Sequence, residues 1–343
     1  MKDEDSKLNH PRIEALIREL SQLMGPGAKA EMFEKIFTDL ALIGRKNPNL
    51  GDHKLIHKTL HELRKSLTLF LPHRNKRKVA IFGSARVSDS HPNYEIALEL
   101  AQGLVKKNYQ VITGAGNGIM EAANRGAGRE KSFGLNIKLP FEQSANSYIE
   151  NDPHLIEFKY FFTRKLMFIK ESSATVLLPG GFGTLDEGFE NLTLFQTGKC
   201  MPRPIVLLDH EGDNYWDHWM NFIRSAVIEK GYAIENDLSF IYRARSSQEA
   251  IDRITNYYKV FHSLRYIGDL TVLRLTKPLP LDLIKTLNTE FQDIVVKGSL
   301  QSTPPHKQEL QNNEYPELPR LSLYFNKSAY GRLNQLIEAI NQA

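Results

Sequence analysis

Between residues 78 and 208 the chain carries five short apolar runs separated by stretches of helical spacing. Lys78-Val79-Ala80-Ile81-Phe82 leads into Gly83-Ser84, and Tyr109-Gln110-Val111-Ile112-Thr113 leads into Gly114-Ala115-Gly116-Asn117-Gly118. Phe133-Gly134-Leu135-Asn136-Ile137 follows. Ala174-Thr175-Val176-Leu177-Leu178 then leads into Pro179-Gly180-Gly181, and Pro204-Ile205-Val206-Leu207-Leu208 ends at Asp209. Helical spacing covers about 93–107, 118–128, 161–172, 184–197 and 214–230. Runs this short and this apolar suit strands buried on both faces, and their alternation with helices predicts an α/β fold. The expectation is a Rossmann-like parallel sheet with helices on both faces. Such sheets bind ligands at the carboxyl ends of their strands, where three of these runs end in glycine-containing turns.

The flanks read differently. In residues 1–77, Ile13, Leu16, Ile17, Leu20 and Leu23 recur at helical spacing, as do Leu55, Leu60, Leu63, Leu67 and Phe70. A helical N-terminal extension is expected there. It closes on His73-Arg74-Asn75-Lys76-Arg77-Lys78, read as a solvated linker, with nucleic acid as the alternative contact. Residues 78–261 form the expected nucleotide-binding domain. From 262 a small βαββα-like addition is expected, with strands at 270–275, 294–296 and 321–325 and helices at 281–291 and 330–340. The proline-rich polar segment 301–319 reads as a loop.

Composition excludes several classes. The 343 residues carry 44 basic and 40 acidic side chains, a net charge of +4 too balanced to argue for nucleic acid. Cys200 is the single cysteine, so neither an intramolecular disulfide nor a cysteine-built metal cluster is expected. The charged N-terminus lacks a signal-peptide core and no run reaches the length of a membrane span, so a cytoplasmic protein without a membrane partner is expected.

Glycines at strand ends let the backbone approach an anion. Free N–H groups at the following helix start, reinforced by the helix dipole, favour phosphate. None of the three turns is a standard motif. Gly114, Gly116 and Gly118 are spaced G-x-G-x-G, and Ile119 stands where the dinucleotide fingerprint needs glycine; no Walker A loop occurs. A nucleotide is expected, with neither a hydride cofactor nor any other. The sharpest segment is Pro179-Gly180-Gly181-Phe182-Gly183-Thr184-Leu185-Asp186-Glu187. Its plain structural reading is a T-x-x-E capping box from Thr184 to Glu187. Three glycines in four positions exceed what a cap requires and favour close approach of a ligand.

That segment resembles the P-G-G-x-G-T-x-x-E signature of the LOG family, the cytokinin riboside 5′-monophosphate phosphoribohydrolases, some of which carry an older lysine decarboxylase label. Two more segments agree over roughly residues 78–260. Ile81-Phe82-Gly83-Ser84-Ala85-Arg86 resembles the family's first turn. The stretch from Thr113 to Ala127 resembles the T-G-G-G-P-G-I-M-E-A-A-N-R-G-A of its longer bacterial branch, departing at Ala115 and Asn117. The resemblance implies hydrolysis of the N-glycosidic bond of a nucleoside 5′-monophosphate to free base and ribose 5-phosphate. It implies Glu187 and Arg164 as catalytic residues, Arg164 matching the arginine of an R-K pair. Gly83, Ser84, Gly114, Gly116, Gly180, Gly181, Gly183 and Thr184 are then substrate-binding. Phe161 and Phe162 replace the Met-His of small plant-type members, so the base is not specified; AMP is as compatible as a cytokinin nucleotide. The resemblance also implies a homodimer or larger homo-oligomer.

Other readings compete. Asp209, His210, Glu211 and Asp213 could suggest a metal site, but a loop at a sheet edge is the preferred reading and no metal is expected. No lysine is placed for a pyridoxal Schiff base. A non-catalytic nucleotide sensor would keep the pocket, yet pure binding requires neither Arg164 nor Glu187. A single-stranded DNA-handling protein on the same fold rests only on the basic cluster at 73–78.

Overall fold

The computed structural model describes residues 8, 10–46, 48–139 and 144–343, so residues 1–7, 9 and 47 of the expected extension lie outside the described residues. The chain divides into two compact units, residues 1–64 and 65–343. The first unit holds α1 (Pro11–Leu23) and α2 (Ala28–Arg45), and α3 (Leu50–Phe70) starts within it. Pro11 occupies the first turn of α1, where a missing N–H costs nothing, and the His10 ring accepts from Ile13 N at 3.3 Å. Arg18 of α1 faces Glu34 of α2 at 3.6 Å. No helix among the described residues is long and apolar enough to cross a membrane.

The second unit is built on a seven-stranded sheet of Rossmann-like α/β type. Its strands are β1 (Lys78–Phe82), β2 (Gln110–Thr113), β3 (Ser132–Ile137), β4 (Leu155–Phe158), β5 (Ala174–Leu177), β6 (Ile205–Leu208) and β7 (Ile241–Ala244). They lie in the order β4-β3-β2-β1-β5-β6-β7, and every neighbouring pair is parallel. Successive strands step one way from β1 through β4, then the other way from β5 through β7. The ends of β1 and β5 therefore flank the switch point where such sheets open a ligand crevice.

Five of these strands match the five apolar runs. The edge strands β4 and β7 escaped that reading because only one face of each is covered. Their burial alternates, with Glu157 and Arg243 on the open side, whereas β1, β2, β5 and β6 are buried throughout. On one face, α4 (Pro92–Lys106), α5 (Ile119–Ala127) and α9 (Ser247–Tyr257) pack over Val79, Ile81, Val111, Val176 and Val206. On the other lie α6 (Phe161–Glu171) and α7 (Phe182–Gln196). Phe168 of α6 meets Phe82 of β1 at a ring separation of 4.7 Å. A Cβ on Gly188 of α7 would stand 3.0 Å from Leu177 of β5. After β6, α8 (Tyr215–Phe222) runs into a π-helical turn at Ile223–Ile228, where one continuous helix was expected.

The C-terminal residues form a four-stranded antiparallel sheet. It contains β8 (Phe261–Ile267), β9 (Leu270–Leu275), β10 (Val295–Ser302) and β11 (Arg320–Phe325), in the order β10-β11-β9-β8. Helices α10 (Leu281–Glu290) and α12 (Tyr330–Asn341) share its apolar core. The segment expected to be loop carries a short helix, α11 (Lys307–Gln311). Its Glu309 is fully buried between Arg274 at 2.8 Å and Arg320 at 3.0 Å. Burial alone would raise the Glu309 carboxyl, but donors from Arg320, the His306 N–H and Arg274 hold it below the usual carboxylate range. A buried polar joint ties α12 to the Rossmann-like part. Tyr257 OH donates to Asn334 Oδ1 at 2.7 Å, Asn334 Nδ2 donates to Ser239 O at 2.8 Å, and Asn341 Oδ1 accepts from Val260 N and Phe261 N, each at 2.9 Å.

Candidate active site

The carboxyl ends of β1, β2 and β5 are joined by main-chain hydrogen bonds. Ser84 N donates to Pro179 O at 3.0 Å, and Ile119 N donates to Ser84 O at 3.1 Å. The dipeptide Gly83-Ser84 is thus the hub between the other two turns. Such proximity needs small residues. A Cβ on Gly180 would collide with Thr184 Oγ1 and stand 3.0 Å from Ser84 N, while Gly118, at φ 63°, would drive one into Ser84 O at 2.5 Å. Gly83 lies against the Ile119 side chain, and Gly114 and Gly116 lie against Met120. Ala115, one of the departures from the family pattern, holds φ 60°, a conformation glycine adopts more easily. From α8's first turn, Tyr215 OH donates to Gly180 O at 2.6 Å.

The capping-box reading of Thr184 and Glu187 does not describe this helix. Helix α7 starts at Phe182 with Gly181 as N-cap, and no side chain caps it. Thr184 is the third helical residue, its N–H turned to Gly181 O at 3.0 Å and its side chain buried against Gly180. Gly181 and Gly183 face open space: a Cβ on either would meet nothing within 4 Å. Packing therefore requires Gly180 to be glycine but not Gly181 or Gly183.

One turn further on, Glu187 is buried to 2% exposure. Its Oε1 stands 3.9 Å from Arg164 Nη2 and 3.9 Å from Lys165 Nζ, both on α6. Its Oε2 is buried without a hydrogen-bond partner among the described residues. Burial pushes the carboxyl up to about 7. The Lys165 and Arg164 charges oppose that push, and Glu190 and Asp186 add to it. Arg164 reaches back to the second turn: a Cβ on Gly114 would come within 3.8 Å of its Nη1. Its guanidinium also lies over the Phe161 and Phe168 rings, at 5.4 and 5.7 Å from their centroids. The three turns, Arg164 and Glu187 are thereby brought to one end of the sheet.

Sequence reasoning missed two contributors. Lys165 grips Glu190 at 2.6 Å and Asp186 at 2.8 Å, fixing α6 on the first turns of α7; the R-K pair was its only signal. Nothing in the sequence pointed to Tyr215. The acidic cluster after β6 is committed elsewhere: Asp209 is fully buried, with Arg243 at 2.6 Å and Arg245 at 3.1 Å. Among the described residues no group of three or more His, Cys, Asp or Glu side chains is arranged to hold a metal ion.

The family described as "Possible lysine decarboxylase" matches residues 120–254, which span α5 through α9 and include Arg164 and Glu187. The probable cytokinin riboside 5′-monophosphate phosphoribohydrolase LOG6 of Arabidopsis thaliana is 28% identical over 185 residues, 53% of this chain and 89% of that one. Over this stretch the chain is similar to members of the LOG family. LOG1 of the same plant is 26% identical over the same share of this chain and 84% of its own. The X-ray structure of TM1055 is 26% identical over 52% of this chain and 98% of that chain. Its TM-score of 0.38 is too low to add to a fold that rests on the sheet itself. The family model's match leaves out the helices before β1, β1 and β2 with their turns, and the four-stranded sheet.

Proposed function

We propose that this LOG-like protein hydrolyses the N-glycosidic bond of a nucleoside 5′-monophosphate to free base and ribose 5-phosphate. The observation that carries the reading is the unpartnered Oε2 of buried Glu187, one turn from a helix N-terminus whose glycines face open space. The first N–H groups of α7 suit the 5′-phosphate, with Gly83, Ser84, Gly114 and Gly116 as the floor. Glu187 then stands beside the ribose, where a hydroxyl can donate to Oε2. As the bond from C1′ to the base nitrogen breaks, its electron pair leaves with the base and positive charge grows on the ribose. The Glu187 carboxylate stabilises that charge. Water adds its oxygen to C1′ and its proton ends on the base. Arg164, held between aromatic rings, offers fixed donors to the phosphate or the departing base.

The names of the plant relatives point to cytokinin nucleotides as one substrate class, and Phe161 and Phe162 leave AMP and other monophosphates open. The assembly we infer is a homodimer or larger homo-oligomer. Phe161, Phe162, Leu166, Phe182 and Phe189 are exposed on α6 and α7 beside the site, an apolar face that a second copy would cover. Incubation with a panel of nucleoside monophosphates, with separation of the products, tests the reading. Release of base with ribose 5-phosphate supports it. Binding without release from every member of the panel would replace it with a nucleotide sensor. Light scattering of the eluted protein reports the oligomer, and a monomer across micromolar concentrations would remove that part.

A further inference from the structure

Arg203, in the segment entering β6, is an oddity of the interior. Its side chain is buried, and the titratable groups that act on it among the described residues are Cys200 and Tyr258, with no carboxylate. A buried, uncompensated guanidinium is costly, so its hydrogen bonds must be doing something that a neutral side chain could not. Nη1 donates to Ile169 O at 2.5 Å and to Ser172 O at 2.7 Å, closing the C-terminal end of α6. A cation is favoured at that end, where helix carbonyls lack partners. Nη2 donates to Asn191 Oδ1 at 2.8 Å on α7. Asn191 in turn donates from Nδ2 to Glu187 O at 2.7 Å and accepts from Thr175 Oγ1 of β5 at 3.2 Å.

One side chain therefore fastens the helix that carries Arg164 to the helix that carries Glu187, and Asn191 extends the joint to the strand between them. We infer that Arg203 is a positioning residue, which sets the separation of Arg164 and Glu187 by clamping the end of α6 to the Asn191 turn of α7. Lys165, with its contacts to Asp186 and Glu190, fastens the same two helices from the opposite end of α6. The pair is thus fixed on both sides, by an exposed-edge ion pair cluster and by a buried fork. The fork geometry matters: a guanidinium reaches two carbonyls and an amide at once, and an ammonium cannot hold all three in one plane.

The inference concerns the carboxylate itself, and its catalytic consequence rests on the proposed hydrolysis. Both are read from Arg203→Met and Arg203→Lys in the full chain. Glu187 is followed by carboxyl carbon NMR of protein labelled at glutamate, its signal assigned by its loss in Glu187→Gln. The groups facing Glu187 are Lys165 and Arg164 from α6 and Asp186 and Glu190 from its own helix. Letting the helices part admits water to the buried carboxyl, which lowers its midpoint, and withdraws the two cations, which raises it. The Glu187 midpoint should then move by about half a unit or more in Arg203→Met, and by less in Arg203→Lys. Turnover should fall about 10- to 100-fold with KM little changed, because the reacting groups are misplaced while the phosphate turn is intact. Arg203→Lys should recover part of the rate. An unmoved midpoint in folded Arg203→Met overturns the inference. Should that variant fail to fold, an unmoved midpoint in Arg203→Lys does the same. If the wild-type chain releases no base, the proposed hydrolysis fails while the midpoint still decides the clamp.

Discussion

At the scale of single residues, Glu187 concentrates the consequences. Its carboxyl, held up near 7, is half ionised close to neutral pH. Since the proposed reaction uses the carboxylate, kcat/KM should rise with pH through about 7 and level off above it. Glu187→Gln should lose turnover by at least about a hundredfold while keeping its fold. The same shift acts on stability. The folded state holds the Glu187 proton more tightly than the unfolded state does, so stability is undiminished below 4.5 and declines as pH rises from there through about 7. The loss is about 3 kcal/mol at most, from the span between those two values. Thermal melts of wild type and Glu187→Gln at pH 5 and pH 8 should show the wild type losing ground on the alkaline side and the variant losing less. Parallel losses in the two proteins would mean that the buried carboxyl is not the source.

At the scale of elements, the turn between β5 and α7 separates a glycine that packing requires from two that it does not. Gly180→Ala forces a methyl onto Thr184 Oγ1 and Ser84 N, so it should lower the melting temperature and disturb the joined turns. Gly181→Ala enters open space and should leave the melting temperature nearly unchanged while weakening nucleotide monophosphate binding, as titration calorimetry would show. Equal binding by Gly181→Ala and wild type would move the phosphate elsewhere. The turn itself was legible, because strand-glycine-helix punctuation is local chemistry. So were the strands with both faces covered, whose residues are mostly apolar. The edge strands were not legible, since Glu157 and Arg243 reflect one open face. Nor was the start of α7: Thr184 and Glu187 satisfy the pattern of a capping box, but the strand end at Pro179 feeds the chain in early enough for Phe182 to begin the helix. Arg203 was invisible because its partners Ile169, Ser172 and Asn191 are brought together only by the packing of α6 on α7.

At the scale of the whole molecule, the four-stranded sheet is bound to the Rossmann-like part through buried groups. Tyr257 and Val260 belong to the chain before β8, yet they are covered by or bonded to α12. A chain ending at residue 260 would expose that surface and leave Tyr257 and Val260 without their amide partners. It should therefore be less soluble and melt well below a chain spanning 65–343, which keeps the second unit whole. Matching melts of the two truncations would show that the additional sheet is dispensable. One feature of the sheet's carboxyl edge bears on how such a protein diversifies. The links from Pro179 through Ser84 to Ile119 run through main-chain atoms, so exchanging the side chains at positions 84, 119 or 179 does not by itself erase them. The residues around Arg164, among them Phe161 and Phe162, hang from a separate helix. Under the proposed function, a lineage can then retune which base it accepts by drift on α6 while inheriting its hold on the sugar phosphate unaltered.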